Sequence, residues 1–242
     1  MNPTARRTKS FIGGMVLAAA AGTTYAGLAS HSLHPAFALA LLALAAATSR
    51  MKLKLPGIDG NMSVNLPFLL MAAVNLSAVE AVFIACLSTV VQCWPKSGSK
   101  FRPEQMLFNL SMMAFATSLA SRIWNAAWLG KSAWASEPMM LALATAGFFV
   151  GQTVPVASII SLAEGTAMFR VWRGIVQLSF PYYVLSAGLT SMINMVSHRF
   201  AWPAALVAFP VMYGVYHSYL RYFATGQASQ PRPLVRAAAA GM

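Results

Sequence analysis

Apolar residues run along this chain in eight blocks, and each block predicts a helix. The blocks are roughly Phe11–Ser30, His34–Ser49, Pro67–Leu76, Ala78–Trp94, Pro103–Trp124, Pro138–Glu164, Gly174–Ser197 and Ala201–Phe223. A helix needs about 20 residues to cross the hydrocarbon of a bilayer, and the third block reaches only about 15 Å. The sixth block carries Pro155 in its interior, which removes a donor and predicts a kink. Between the second and third blocks the pattern changes. In the stretch Met51–Phe68, Lys52 and Lys54 alternate with Leu53 and Leu55, and Met62, Val64 and Leu66 alternate with Ser63 and Asn65. That is the strand period, and Asp59-Gly60 between the two runs is a hairpin signal. Pro67 then suits the first turn of a helix. Non-helical backbone beside lipid leaves amides unsatisfied. The stretch near 52–66 is therefore either a short interfacial hairpin or a re-entrant element lining a cavity.

Composition places these blocks. Of 242 residues 58% are hydrophobic and 9% charged, with mean hydropathy +0.61. Soluble domains carry about 25% charged residues, so the composition points to a membrane. The net charge of +12 would suit nucleic acid in a soluble protein, but its distribution has another explanation. With the N-terminus inside, the cytoplasmic segments hold Arg6, Arg7, Lys9, Arg50, Lys52, Lys54, Lys96, Lys100, Arg102, Arg170, Arg173, Arg221, Arg232 and Arg236. Of the 17 basic residues, only Arg122, Lys131 and Arg199 remain outside. Trp94 and Trp172 then fall at the inner boundary and Trp124, Trp128, Trp134 and Trp202 at the outer one, as interfacial anchors. The first apolar run is longer than a signal-peptide core and reads as the first membrane helix.

The expected fold is all-α and polytopic, with seven or eight membrane segments and both termini cytoplasmic. Residues 1–10 form a cytoplasmic N-terminus, 11–223 a single transmembrane domain, and 224–242 a disordered cytoplasmic tail without a periodic apolar face.

Candidate chemistry is sparse. The five carboxylates are Asp59, Glu80, Glu104, Glu137 and Glu164. Glu80, Glu104 and Glu137 sit at helix starts, where negative charge is favourable. Glu164 ends a block and is expected to pair with Arg170 or Arg173. No two carboxylates share a face in mid-membrane, so no catalytic residue is assigned and no enzyme is expected. His31 and His34 could begin a metal site only with Glu80 or Glu137 as a third ligand, and neither metal nor cofactor is expected. Cys86 and Cys93 are about 10 Å apart on one helix, too far for a disulfide. His217 reads as an interhelical histidine.

What remains are amides within apolar runs, Gln92, Asn109, Gln152 and Gln177, with Asn65 at the mouth of the third block. Such groups usually bond neighbouring helices. A polar side chain beside a broken helix is also how several transporters form a site, and Gln152 stands three residues before Pro155. Asn65, Asn109 and Gln152 are the candidates to line a polar ligand cavity open to the cytoplasmic side. Gly14, Ala18, Gly22 and Ala26 recur every four residues in the first block, and Gly147 and Gly151 repeat that spacing in the sixth. These ridges let backbones approach within the chain, or alternatively across a homodimer.

The segments LKLPGIDGNMSVNLPFLLMAAVNLS, LFNLSMM, LAEGTAMFRVWRG, SFPYYVLSAGL and FPVMYGVYHSYLRYF carry a resemblance over nearly all of residues 30–223. They resemble the multi-helix membrane region that precedes HD-type phosphohydrolase or diguanylate cyclase domains in bacterial signalling proteins. In those proteins an output domain starts shortly after a helix end like that formed here by Tyr216, Tyr219, Leu220 and Tyr222. Here a Pro-rich tail follows instead. The resemblance implies a non-enzymatic sensory or scaffold module in a bacterial inner membrane, whose output partner, if any, is a separate protein. The alternative is a small-molecule transporter or its substrate-binding subunit. The lipid bilayer is the expected environment, and no nucleic acid is expected.

Overall fold

The computed structural model describes residues 3–28, 35–54, 61–95, 102–126, 136–197 and 201–228. Those residues form eight helices and one minimal ribbon. The helices are α1 (Pro3–Leu28), α2 (Pro35–Ser49), α3 (Leu66–Asn75), α4 (Ala78–Cys93), α5 (Pro103–Trp124), α6 (Glu137–Glu164), α7 (Met168–Ser197) and α8 (Ala201–Ala228). The ribbon pairs β1 (Lys52–Lys54) with β2 (Asn61–Ser63) antiparallel, Leu53 opposite Met62. The expected Asp59-Gly60 turn lies outside the described residues, as do the His31/His34 loop, Trp128, Trp134 and the tail beyond Ala228.

Most helix ends follow local chemistry. Pro103 and Pro138 lie in the first turns of α5 and α6, where no amide hydrogen is needed. Ser77 and Glu80 form a capping box at the start of α4, each satisfying the other's backbone amide. Gly165, at φ 68°, ends α6 in the left-handed region and donates its amide to the Ser161 carbonyl at 2.9 Å. Three boundaries differ from expectation. α1 begins at Pro3, so Arg6, Arg7 and Lys9 are helical; arginine, lysine and alanine are good helix formers. α7 begins at Met168, and α8 continues through Ala228, past the expected start of the tail at 224. The expected ion pair of Glu164 is absent: all three groups are exposed, and Glu164 makes no ion pair with Arg170 or Arg173.

Contacts along the helices give their relative directions. Lys9 Nζ lies 3.0 Å from Glu104 Oε1, Phe11 packs on Phe108, a Cβ on Gly22 would stand 3.6 Å from Ser118 Cβ, and the Arg122 guanidinium lies 3.8 Å above the Tyr25 ring. Residue numbers rise together, so α1 and α5 run parallel. Ala116 instead faces Gly151 while Leu119 and Ile123 face Gly147, so α5 and α6 run antiparallel. α3 lies inside, packed by α2, α4, α5 and α7, and every residue from Leu66 to Ala73 is buried.

The outside of the bundle is apolar. Leu17 is 73% exposed, Met195 72% and Phe169 69%, with Leu39, Phe83 and Met192 also outward. Among the described helices, Glu137–Glu164 is long and apolar enough to cross a membrane by length and composition. Pro35–Ser49, Leu66–Asn75 and Ala78–Cys93 are apolar but shorter.

Candidate functional site: the buried polar joint of α3, α6 and α7

α3 must satisfy its first amides away from water, and the sequence supplies the means. Pro67 has no N–H to satisfy. Phe68 and Leu69 both donate to the Asn65 carbonyl, at 3.1 and 3.2 Å. That leaves Leu66, whose N–H donates to the Tyr182 hydroxyl of α7 at 3.2 Å. Tyr182 is 1% exposed, so this bond links two elements 116 residues apart inside the core. Thr190, two turns further along α7, donates to the Ser186 carbonyl at 2.9 Å and lies 3.4 Å from the Pro67 carbonyl. The Asn65 side chain does not cap the helix. Its Nδ2 reaches Ser88 Oγ of α4 at 3.5 Å.

The adjacent tyrosine makes the second half of the joint. Tyr183 donates its hydroxyl proton to Gln152 Oε1 on α6, and Gln152 Nε2 points to Met113 Sδ on α5 at 3.5 Å. Phe149 meets the Tyr183 ring edge-on with centroids 4.7 Å apart, and the Phe148 ring is tilted against it at 6.4 Å. One residue beyond Gln152, Thr153 Oγ1 accepts from Trp172 Nε1 at 3.1 Å and donates to the Phe149 carbonyl at 2.7 Å. α6 stays helical through Pro155, and α7 stays helical through Pro181, immediately before the tyrosine pair. Each proline deletes one backbone bond, so both helices are locally weak where they meet.

Adjacent residues of α7 thus reach Gln152 and the backbone amide beside Asn65, while the Asn65 side chain itself turns to Ser88. Tyr182 engages the amide next to Asn65, and Tyr183 engages Gln152. Asn109 does not join them. Its Nδ2 reaches Cys93 Sγ at 3.3 Å across α4 and α5, and no described hydrogen bond connects it to the others. The small-residue positions divide similarly. A Cβ on Gly151 would stand 3.1 Å from the Ala116 Cα, and one on Gly147 would overlap the Ile123 Cδ1 at 2.3 Å. Gly22 makes ordinary contact with Ser118, whereas a Cβ on Gly14 would meet open space. Ala18 is half-buried, and the Ala26 side chain lies outside the described residues.

Tyr182, Tyr183, Ser88 and Thr153 were not among the sequence candidates, and Trp172 was read only as an anchor. The signal was present, since tyrosine hydroxyls within an apolar run need partners once buried. Among the described residues no group of three metal-ligating side chains occurs.

An apolar exterior around helices joined by a few buried polar bonds is the build of a membrane-associated helical bundle. The MASE9 family model matches residues 30–221, and the chain belongs to that family, a membrane-associated sensory-type domain family. No curated protein and no solved structure matches the chain.

Proposed function

We propose that this chain is a non-enzymatic sensory module of a bacterial inner membrane, and that the joint of α3, α6 and α7 is its responsive element. In this reading the bundle has seven or eight membrane segments, an even number of which cross the bilayer, and both termini are cytoplasmic. The observation that carries it is the burial of Leu66–Ala73, eight of the ten residues of α3, in a helix whose first amide is held by a side chain of another helix. Such a helix has no lipid-facing role, and its end can be released by exchanging a hydrogen bond without unfolding the bundle. A small polar ligand, or the helix of a separate output partner, competing for Asn65, Gln152 or a tyrosine hydroxyl would shift α3 against α7. α8 packs on α7 and would carry the shift to the cytoplasmic end.

The test is a chimaera with a diguanylate cyclase domain fused after Ala228, reporting output in cells. Tyr182→Phe and Tyr183→Phe are expected to change cyclase output several-fold at equal membrane abundance. Output equal to that of the same cyclase on a plain membrane anchor, in every variant, would overturn the sensory reading. Orientation is tested separately, with reporter fusions after Phe223 expected to be cytoplasmic and those after Ser132 periplasmic.

A further inference from the structure

Away from that joint, the start of α1 and the end of α6 enclose an open groove of about 650 Å³ lined by Arg6, Arg7, Ser10, Phe11 and Leu162. Its lining has two chemistries. Arg6 and Arg7 are exposed guanidinium groups and Ser10 a hydroxyl, all suited to phosphate oxygens. Phe11 and Leu162 supply an apolar side, and Phe11 continues into the core through Phe108.

The charge balance at this end leaves the arginines available. Lys9, the next basic residue of α1, is neutralised by Glu104 at 3.0 Å. Glu164 stands two residues beyond Leu162, yet it makes no ion pair with Arg6 or Arg7. Glu80 and Glu137 stand at the starts of α4 and α6, at the opposite end of the bundle. Two cations above an apolar wall, at the end of a helix that enters the bundle, match a phosphate joined to acyl chains better than a fully soluble anion.

We infer that the groove of Arg6, Arg7, Ser10, Phe11 and Leu162 binds the phosphate headgroup of an anionic phospholipid, with the start of its acyl chains against Phe11 and Leu162. This rests on the proposed reading only in placing the start of α1 at the cytoplasmic face of the bilayer. The site also gives α1 and α6 a shared ligand, so bilayer composition would adjust their contact.

The test uses the full chain in detergent, with phosphatidylglycerol, phosphatidylcholine, glycerol phosphate and inorganic phosphate as probes, and native mass spectrometry and thermal unfolding as readouts. Wild-type protein is expected to retain and be stabilised by phosphatidylglycerol and not by the other three. Arg6→Gln with Arg7→Gln is expected to weaken that binding by on the order of tenfold or more. Arg50→Gln, an exposed cation outside the groove, should leave it unchanged, and unfolding in phosphatidylcholine alone checks that the double variant still folds. Equal binding by wild type and the double variant, or an equal loss in Arg50→Gln, would overturn the site. Stabilisation by inorganic or glycerol phosphate matching that by phosphatidylglycerol would overturn the lipid as its ligand. An inert cyclase chimaera would leave these binding results untouched, so the two proposals fail separately.

Discussion

Two seams of the bundle are held together by opposite means. Where α5 meets α6, and α1 beside them, contact is made by small residues: Gly151 on Ala116, Gly147 beside Leu119 and Ile123, Gly22 on Ser118. Among the described residues, three hydroxyls buried on these helices, Thr117, Ser118 and Thr145, have no hydrogen-bond partner, and the polar contact between α5 and α6 is the 3.5 Å approach of Gln152 Nε2 to Met113 Sδ. Where α3 meets α7, and α7 meets α6, hydroxyls and an amide bridge the helices through Tyr182, Tyr183, Gln152, Trp172 and Thr153. Close backbone packing has one arrangement and resists added volume. A hydrogen bond can pass to a competing donor or acceptor at small net cost. The first seam therefore fixes the frame and the second can be reset.

Added volume should separate them most sharply. Gly151→Leu places side-chain atoms against the Ala116 backbone, which cannot rotate away, and should cost about 3 kcal/mol, read as a lowered unfolding midpoint in detergent. Gly147→Ala should cost less than Gly151→Ala despite its shorter contact, because the flexible end of Ile123 can move. The reverse order would show that α5 and α6 meet elsewhere.

Removing a hydroxyl comes next. Tyr182→Phe leaves the Leu66 amide buried without its partner and should cost about 1–2 kcal/mol while leaving the α5–α6 contact intact. The same kind of change in the other seam should do nothing harmful. Thr117→Val replaces an unpaired buried hydroxyl by a methyl group, so stability should stay within about 0.5 kcal/mol or rise. A clear loss would mean that the first seam is also held by polar bonds. Gly14→Ala should have the smallest effect, because its face is open.

Periodicity made the frame legible. Block and helix coincide at Pro103–Trp124, and the brevity of the third block announced a helix that could not be an ordinary span. The strand alternation around Leu53 and Met62 likewise marked the ribbon, whereas its register, Lys54 opposite Asn61, is not the one a two-residue turn at Asp59-Gly60 would set. The joint was harder to read, for a physical reason. Asn65 and Gln152 stood out because an amide is conspicuous in an apolar run, whereas Tyr182 and Tyr183 count as aromatic and vanish into it. Their hydroxyls matter only through groups 116 and 31 residues away, and no local spacing encodes such distances. Asn109 was as conspicuous as Gln152, but its helix face turns it to Cys93 instead. The small-residue stripe of α1 misleads similarly at Gly14, because spacing defines a ridge without defining what meets each part of it.

If α7 holds α3 as a separable element, amide hydrogen exchange in lipid nanodiscs will show it. In Tyr182→Phe, the amides of Leu66–Ala73 should exchange about tenfold faster than in wild type, while those of α5 around Met113–Ser121 keep their protection. Unchanged exchange in α3, or the same acceleration in α3 and α5, would contradict it.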